Sequence, residues 1–237
     1  MIWTSFFLML GALLGGLAVY LVGYQQKPIR LPLIFAGSFL FSITIIHILP
    51  ELFKISDKPF EIGLYLLIGF FFQSFLEYFT QGVEHGHYHV GSHGRSNISL
   101  IIALVLHSLL EGALLTHESP FHGRHESYSL LFGIILHKAP AAYALMAICK
   151  SDHHFHWRQI LILMIFAISS PVGMYVSSIL DFTSGAFLLF YAFVSGNFLH
   201  ISTTIFVETS PDHSPKLNRI VVSLLGAAVA VASEMFI

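Results

Sequence analysis

The sequence predicts an all-α integral membrane protein, an eight-helix transmembrane bundle with both termini outside. Its 237 residues are 55% hydrophobic and only 10% charged, and the mean hydropathy is +0.77. Because a soluble domain contains about 25% charged residues, this composition indicates a chain that crosses a lipid bilayer. The apolar runs are continuous and lack the alternation of barrel strands, so helices are the expected spanning elements.

Run length predicts how many times the chain crosses the bilayer. A spanning helix needs about 20 apolar residues, which leaves room for eight spans in a single domain, residues 1–237. The first run lacks the basic start of a signal peptide and its apolar part is too long for one, so it is interpreted as a span. The predicted spans are about 2–24, 31–54, 60–82, 97–117, 126–149, 157–181, 184–208 and 217–236.

The positively charged residues predict the orientation of this bundle. Loops one, three, five and seven carry Lys27, Arg30, Arg95, Lys150, Arg158, Lys216 and Arg219, whereas loops two, four and six carry Lys54, Lys58 and Arg124. Loops rich in positive charge stay on the cytoplasmic side of a membrane. The odd-numbered loops are therefore expected in the cytoplasm, and the chain is expected in an inner or plasma cell membrane.

Histidine is unusually frequent in this chain. There are 15 histidines against 11 lysines and arginines, which points to metal or proton chemistry. The single cysteine, Cys149, excludes a disulfide framework and a thiolate metal cluster. A net charge of −2 gives no sign of a nucleic-acid partner. The expected partners are a divalent metal ion and the lipid bilayer.

The most informative stretch is residues 100–115, an apolar run that holds His107 and Glu111 in its middle. Residues four apart share one face of a helix, with Cβ atoms about 5–6 Å apart, so both side chains can hold one ligand. An ionisable residue in hydrocarbon costs about 2.5–3.5 kcal/mol on insertion scales and needs a partner. That partner is expected in residues 130–148, which contain His137.

Imidazole and carboxylate groups ligate zinc and its first-row neighbours. His107, Glu111 and His137 are therefore the predicted metal ligands, with water or a main-chain carbonyl in the fourth position. A site without thiolates also suits an ion that must be released. Lys138 is expected to lie against Glu111 or to lose its proton. Pro140 should kink its helix and free a carbonyl oxygen that can serve as a ligand.

Further polar residues predict a pathway for the ion on both sides of this site. His47 and Glu51, again four apart, are interpreted as a collecting site at the outer mouth, and His200 and Glu208 lie on the way out to the cytoplasm. The cytoplasmic loop 83–96 contains glycines and histidines at alternating positions, a composition that binds divalent ions loosely. Its histidines are His85, His87, His89 and His93.

Four motifs resemble those of the ZIP (Zrt-, Irt-like protein) metal transporters, and together they extend over nearly the whole chain. His-Ser-Leu-Leu-Glu-Gly at 107–112 resembles the fourth-helix motif of that family, and His-Lys-Ala-Pro at 137–140 resembles the fifth-helix motif. His-Ile-Leu-Pro-Glu at 47–51 is similar to the end of the second helix, and Ser-Pro-Val-Gly at 170–173 to the sixth. Each motif is weak alone, whereas their combination is specific.

The resemblance implies a divalent-cation importer rather than an enzyme. It implies eight helices with outside termini, and a unit of helices two, four, five and seven that moves against the others. Zinc is the usual cargo of the family, and it is transported as a substrate rather than held as a cofactor. The alternative cargoes are Fe²⁺, Mn²⁺, Cd²⁺ and Co²⁺. The family also places an outer gate residue at the position of Phe39. The resemblance leaves undecided whether the chain is a monomer or a homodimer.

The chain departs from many bacterial relatives, which hold two adjacent metal ions. Their additional ligands correspond to Ser108, Lys138, Ala141 and Ser170, a pattern similar to the branch with His-Ser and His-Lys motifs. A single transported ion is therefore expected, with the Lys138 ammonium in place of the second one. Repulsion between an ammonium and a dication at this range amounts to several kcal/mol at an effective dielectric of about 20.

Two other functions share these buried ligands. An intramembrane zinc hydrolase would need an open metal position and a general base, and the sequence offers no separate base beside His107 and Glu111. A metal sensor that does not transport is the second alternative. Metal uptake into liposomes distinguishes a transporter from both.

Overall fold

The structure, a computed structural model, describes residues 1–22, 27–80, 97–115, 126–149, 157–180, 184–208 and 217–235. All regular structure in these segments is helical and none of it is strand, which confirms the all-α prediction. The helices are α1 (Ile2–Val22), α2 (Lys27–Ile43, Thr44–Ile48 and Leu49–Ile55), α3 (Pro59–Thr80), α4 (Asn97–Leu114), α5 (Glu126–Cys149), α6 (Trp157–Ile179), α7 (Ser184–Glu208) and α8 (Leu217–Met235).

Seven of these helices are long and apolar enough, by length and composition, to cross a membrane. The other apolar segment, Ile98–Leu114 in α4, is shorter. Large apolar side chains such as Leu21, Phe71 and Leu224 are exposed on the outside of the bundle. An apolar exterior of this kind fits lipid, because a water-soluble monomer rarely exposes large apolar patches. The described segments therefore fit a multi-pass membrane protein.

The helices pack in two groups of four. In the first group, α1 packs on α5 and α6, and α4 packs on α6; in the second, α2 packs on α8 and α7, and α3 packs on α7. The contacts of α2 with α5 and of α3 with α4 join the two groups. The expected moving unit of helices two, four, five and seven stays a prediction, because packing in one structure does not test which helices move; in this packing α4 and α5 belong to one group and α2 and α7 to the other.

Glycines allow the paired helices to approach closely, and so help to determine which helices pair. A Cβ atom at Gly112 of α4 would overlap the carbonyl oxygen of Ser170, and one at Gly173 of α6 would overlap the carbonyl oxygen of Leu109. The contact is reciprocal, so both helices present their backbones at the same crossing. Small residues at helix crossings serve this purpose in membrane bundles. The fourth-helix motif is thereby fixed against α6.

Helices α2 and α8 run in the same direction. Gly226 of α8 lies against Phe35 near the middle of α2, and Glu234 near the end of α8 lies against His47 toward the end of α2. Two even-numbered helices should be parallel when a chain crosses a bilayer in alternating directions. The packing of α2 and α8 therefore agrees with an alternating bundle and brings their last turns together.

A π-helical turn, Thr44–Ile48, interrupts α2 just before its last turns. The backbone N–H of Leu49 donates to the carbonyl of Thr44, five residues earlier, instead of the carbonyl four residues earlier. Pro50 gives a physical reason, because proline has no N–H and its ring clashes with the carbonyl four residues before it in a regular α-helix. The wider turn, which contains His47, relieves this clash.

The crossing of α3 and α7 tests the role of the close-packed glycines. Gly196→Ala is expected to lower the free energy of unfolding by about 1–3 kcal/mol, because the added methyl group would overlap the carbonyl oxygen of Leu66. Gly63 of α3 is the matched control, since a Cβ atom there meets nothing within 4 Å. Gly63→Ala should be neutral or slightly stabilising, because alanine favours helix by about 1 kcal/mol over glycine. Thermal unfolding midpoints of the purified variants measure the difference, and equal midpoints would contradict the packing.

Candidate metal centre

The structure brings together the three predicted ligands, His107 and Glu111 of α4 and His137 of α5. One ligand atom from each residue lies within 4.8 Å of the other two. His107 Nε2 and Glu111 Oε1 are 3.0 Å apart, as the four-residue helical spacing requires. The rings of His107 and His137 are nearly perpendicular, with centroids 5.9 Å apart. This cluster is the candidate metal centre.

All three ligand residues are buried, with exposures of 3% for His107, 2% for Glu111 and 1% for His137. A buried carboxylate is costly unless opposite charge or hydrogen bonds compensate it. Two imidazoles and one carboxylate leave one tetrahedral position open on a zinc ion, in the manner of sites that exchange a water or substrate. The donor set therefore fits a divalent transition metal with one coordination position not filled by these side chains.

The Lys138 ammonium lies beside the candidate metal centre and is 1% exposed. It donates hydrogen bonds to the hydroxyls of Ser108 and Ser170, the latter at 2.7 Å, and lies 4.3 Å from the centre of the Phe166 ring. The expected direct contact with Glu111 is not formed: among the described residues no salt bridge joins the two side chains, although they interact electrostatically. The reason is that α6 supplies a hydroxyl and an aromatic face that solvate the ammonium.

A serine network links the ammonium to the crossing of α4 and α6. The hydroxyls of Ser108 and Ser170 are 2.9 Å apart, and that of Ser170 also donates to the carbonyl of Ser108 at 2.9 Å. Ser169, which the sequence did not single out, places its hydroxyl 2.6 Å from that of Ser108. Since Ser108 follows His107 in the chain, the network also holds the backbone that carries a ligand. Ala141 is buried on α5 and offers no ligand.

Both helices that contain an internal proline near the centre continue past it. Pro140 lies inside α5 and Pro171 inside α6. Pro140 cannot donate to the carbonyl of Leu136, four residues earlier, and that carbonyl immediately precedes His137. The expected additional carbonyl acceptor is therefore adjacent in sequence to a ligand.

A second cluster joins the ends of α2 and α8. His47 Nε2 is 3.6 Å from Glu51 Oε2, and His47 Nδ1 is 2.8 Å from Glu234 Oε2. The sequence singled out His47 and Glu51 but missed Glu234, which lies 183 positions further along than Glu51, at the end of an ordinary apolar helix. Only the parallel packing of α2 and α8 reveals this partner. We call His47, Glu51 and Glu234 the outer cluster, after the outer mouth of the pathway that is predicted for His47 and Glu51.

A third pair connects α3 with α7. His200 Nε2 lies 2.5 Å from Glu77 Oε2 and 3.5 Å from the hydroxyl of Thr204, and the Phe70 ring packs edge-on against the imidazole. The sequence placed His200 on the exit pathway without identifying Glu77 as its partner. Glu208 is the last residue of α7, and its side chain lies outside the part of the chain that the structure describes.

The remaining predicted residues fall in different places. Phe39 is fully buried on α2, its ring 5.4 Å from that of Phe132 of α5, so it lies where the two helix groups meet. His85, His87, His89 and His93 lie outside the described residues.

The chain matches no protein-family model and none of the curated proteins with which it was compared.

The contacts of Lys138 predict a measurable cost for removing one serine. Ser170→Ala removes an acceptor from the buried ammonium and should destabilise the protein by about 1.5–3 kcal/mol, as expected for a hydrogen bond to a charged group. Ser177 is the matched control, because it is buried on the same helix and its hydroxyl makes no hydrogen bond within the described residues. Ser177→Ala should therefore be nearly neutral. Thermal unfolding of both purified variants provides the comparison, and an unchanged Ser170→Ala midpoint would argue against the network.

Proposed function

We propose that the protein is an importer of divalent transition-metal ions, with zinc as the cargo, and that it carries the ion toward the cytoplasm by alternating access. The observation that carries the proposal is the burial of His107, Glu111 and His137 together on two neighbouring apolar helices. Ionisable residues within a membrane bundle are costly and characteristically mark an ion pathway. The four motifs that resemble the ZIP family support the same function.

The chemistry of the ligands favours transport over permanent binding. Structural zinc sites are closed by four protein ligands, often thiolates, whereas this cluster has three ligand residues and no cysteine. An ion with an open position can exchange water and be handed to another ligand. Because histidine and carboxylate must be deprotonated to bind, protons compete with the ion for the same groups.

The proposed route has a collecting site at one end and an exit site at the other. The ion first meets His47 and Glu51 at the end of α2, binds at the candidate metal centre, and leaves past His200 with its partner Glu77. The positive loops give the direction, with both termini outside and the odd-numbered loops in the cytoplasm of a cell membrane.

The two helix groups supply a basis for alternating access. All three central ligands belong to the first group, on α4 and α5, whereas the outer cluster and the His200–Glu77 pair belong to the second. A displacement of one group against the other would therefore move the central ion away from the outer cluster and toward the His200–Glu77 pair. Phe39, at the contact of α2 and α5, is in place to close the route on one side.

Uptake of metal by proteoliposomes tests this function. The wild type should accumulate zinc, and His107→Ala, Glu111→Ala and His137→Ala should each reduce uptake to the background of empty liposomes. Ser177→Ala, a buried change away from the ligands, should transport normally. Competition by Fe²⁺, Mn²⁺, Cd²⁺ and Co²⁺ identifies the preferred cargo.

The outcomes of the uptake assay separate the alternatives. Normal uptake by all three alanine variants would overturn the assignment of the centre. A folded wild type that binds zinc without transporting it would overturn the importer and favour a sensor.

Lys138 predicts a single ion at the centre. Its ammonium lies in the serine network beside the ligands, and its charge would repel a second dication by several kcal/mol at an effective dielectric of about 20. Lys138→Asp replaces this positive charge with a carboxylate and should raise the number of centrally bound ions from one to two. Lys138→Met, which removes the charge without adding a ligand, is the control. Elemental analysis of purified variants counts the ions, and an unchanged count for Lys138→Asp would contradict the role of the ammonium.

A further inference from the structure

The outer cluster has a geometry that differs from a simple ion pair. Glu234 Oε2 and His47 Nδ1 are 2.8 Å apart, a normal hydrogen-bond distance. A carboxylate only accepts hydrogen bonds, so Nδ1 must carry the proton in this contact. In neutral imidazole the other nitrogen, Nε2, then carries the lone pair that can bind a metal ion, on the side of the ring facing Glu51.

The separation on the other side of the ring suits a shared metal ion. His47 Nε2 and Glu51 Oε2 are 3.6 Å apart, which is longer than a normal hydrogen bond. With metal–ligand bonds of about 2.0–2.1 Å, two ligands of one tetrahedral zinc ion lie about 3.3–3.4 Å apart. A small adjustment of two side chains therefore places both atoms on one ion.

We propose that Glu234 is a positioning residue, which holds His47 in the tautomer that binds a divalent cation together with Glu51. The role of this outer site as the first station of transport rests on the proposed function, whereas its metal binding does not. A carboxylate that accepts the second ring proton of a ligating histidine orients the ring and raises its basicity. Glu234 would supply this support from α8 to a ligand on α2.

The local backbone and charge support the same assignment. The π-helical turn Thr44–Ile48 contains His47, and such turns occur frequently at functional sites. Two carboxylates, Glu51 and Glu234, carry a combined charge of −2 that balances one dication with neutral His47. At the candidate metal centre, by contrast, the single carboxylate Glu111 lies near an ammonium.

Accessibility distinguishes the outer cluster from the candidate metal centre. The side chains of His47 and Glu234 are 17% and 18% exposed, whereas those of His107 and Glu111 are 3% and 2% exposed. An ion can therefore reach His47 from outside the bundle while the centre is closed. The side chain of Glu51 is more buried, at 6% exposed.

The tautomer of His47 is the first test, because the positioning role requires that Glu234 sets it. Nitrogen NMR of ¹⁵N-histidine-labelled full-length protein, free of metal and above the ordinary histidine pKa of about 6.5, reports which ring nitrogen is protonated. The His47 signals are identified by their loss in His47→Ala. The wild type and Glu234→Gln, whose amide oxygen can still accept, should be protonated on Nδ1. Glu234→Leu should shift toward the Nε2-protonated form, and an unchanged spectrum would overturn the proposal.

Zinc binding is the second test, measured by competition with a zinc indicator in the full chain carrying His107→Ala and His137→Ala. The part of the binding that His47→Ala removes should weaken by about 10–100-fold in Glu234→Leu and by less in Glu234→Gln. Ser233→Ala on the same helix, whose hydroxyl donates only locally to the carbonyl of Ala230, should leave it unchanged. Equal weakening by Leu and Gln would overturn the positioning role.

Two further outcomes separate this site from the proposed function. Zinc binding that does not depend on His47 would overturn the outer site, whether or not the protein transports. Conversely, His47-dependent binding by a wild type that fails to transport zinc would support the outer site and overturn the importer.

Discussion

The need to compensate polar groups inside an apolar bundle governs the centre of this protein. Glu111 and the Lys138 ammonium are both fully enclosed, and neither would be stable alone at such a depth. Glu111 is paired with His107, and the ammonium is held by serine hydroxyls and the face of Phe166. Because each group has its own partners, the carboxylate keeps an oxygen directed toward the two imidazoles and remains available to an ion.

This compensation depends on how closely the helices approach. The hydroxyls of Ser108 and Ser170, which both accept from Lys138, lie 2.9 Å apart because α4 and α6 touch backbone to backbone at Gly112 and Gly173. Larger residues at this crossing would separate the two helices and pull the two hydroxyls apart. The glycine that ends the fourth-helix motif is therefore explained by packing, and the histidine and glutamate of that motif by the proposed binding of an ion.

The described residues form histidine–carboxylate contacts at three places along the bundle, and their geometry suggests different functions. At the centre, His107 and Glu111 are 3.0 Å apart and point toward a second imidazole. In the outer cluster, one ring nitrogen of His47 lies 2.8 Å from Glu234 and the other lies 3.6 Å from Glu51, a distance that suits a shared ion. His200, by contrast, is bound directly to a carboxylate at 2.5 Å, so an ion would have to displace this contact.

The sequence alone determined the helical class, the apolar spans and the pairing of His107 with Glu111, because hydropathy and the helical repeat are local properties. The convergence of His137 could be predicted from a second polar interruption in an apolar run. The partners that Ser108, His47 and His200 find on other helices could not: Ser169, Glu234 and Glu77 become their neighbours only through the pairing of helices. Close backbone crossings and the parallel packing of α2 on α8 decide these contacts, and they join residues that no sequence spacing relates.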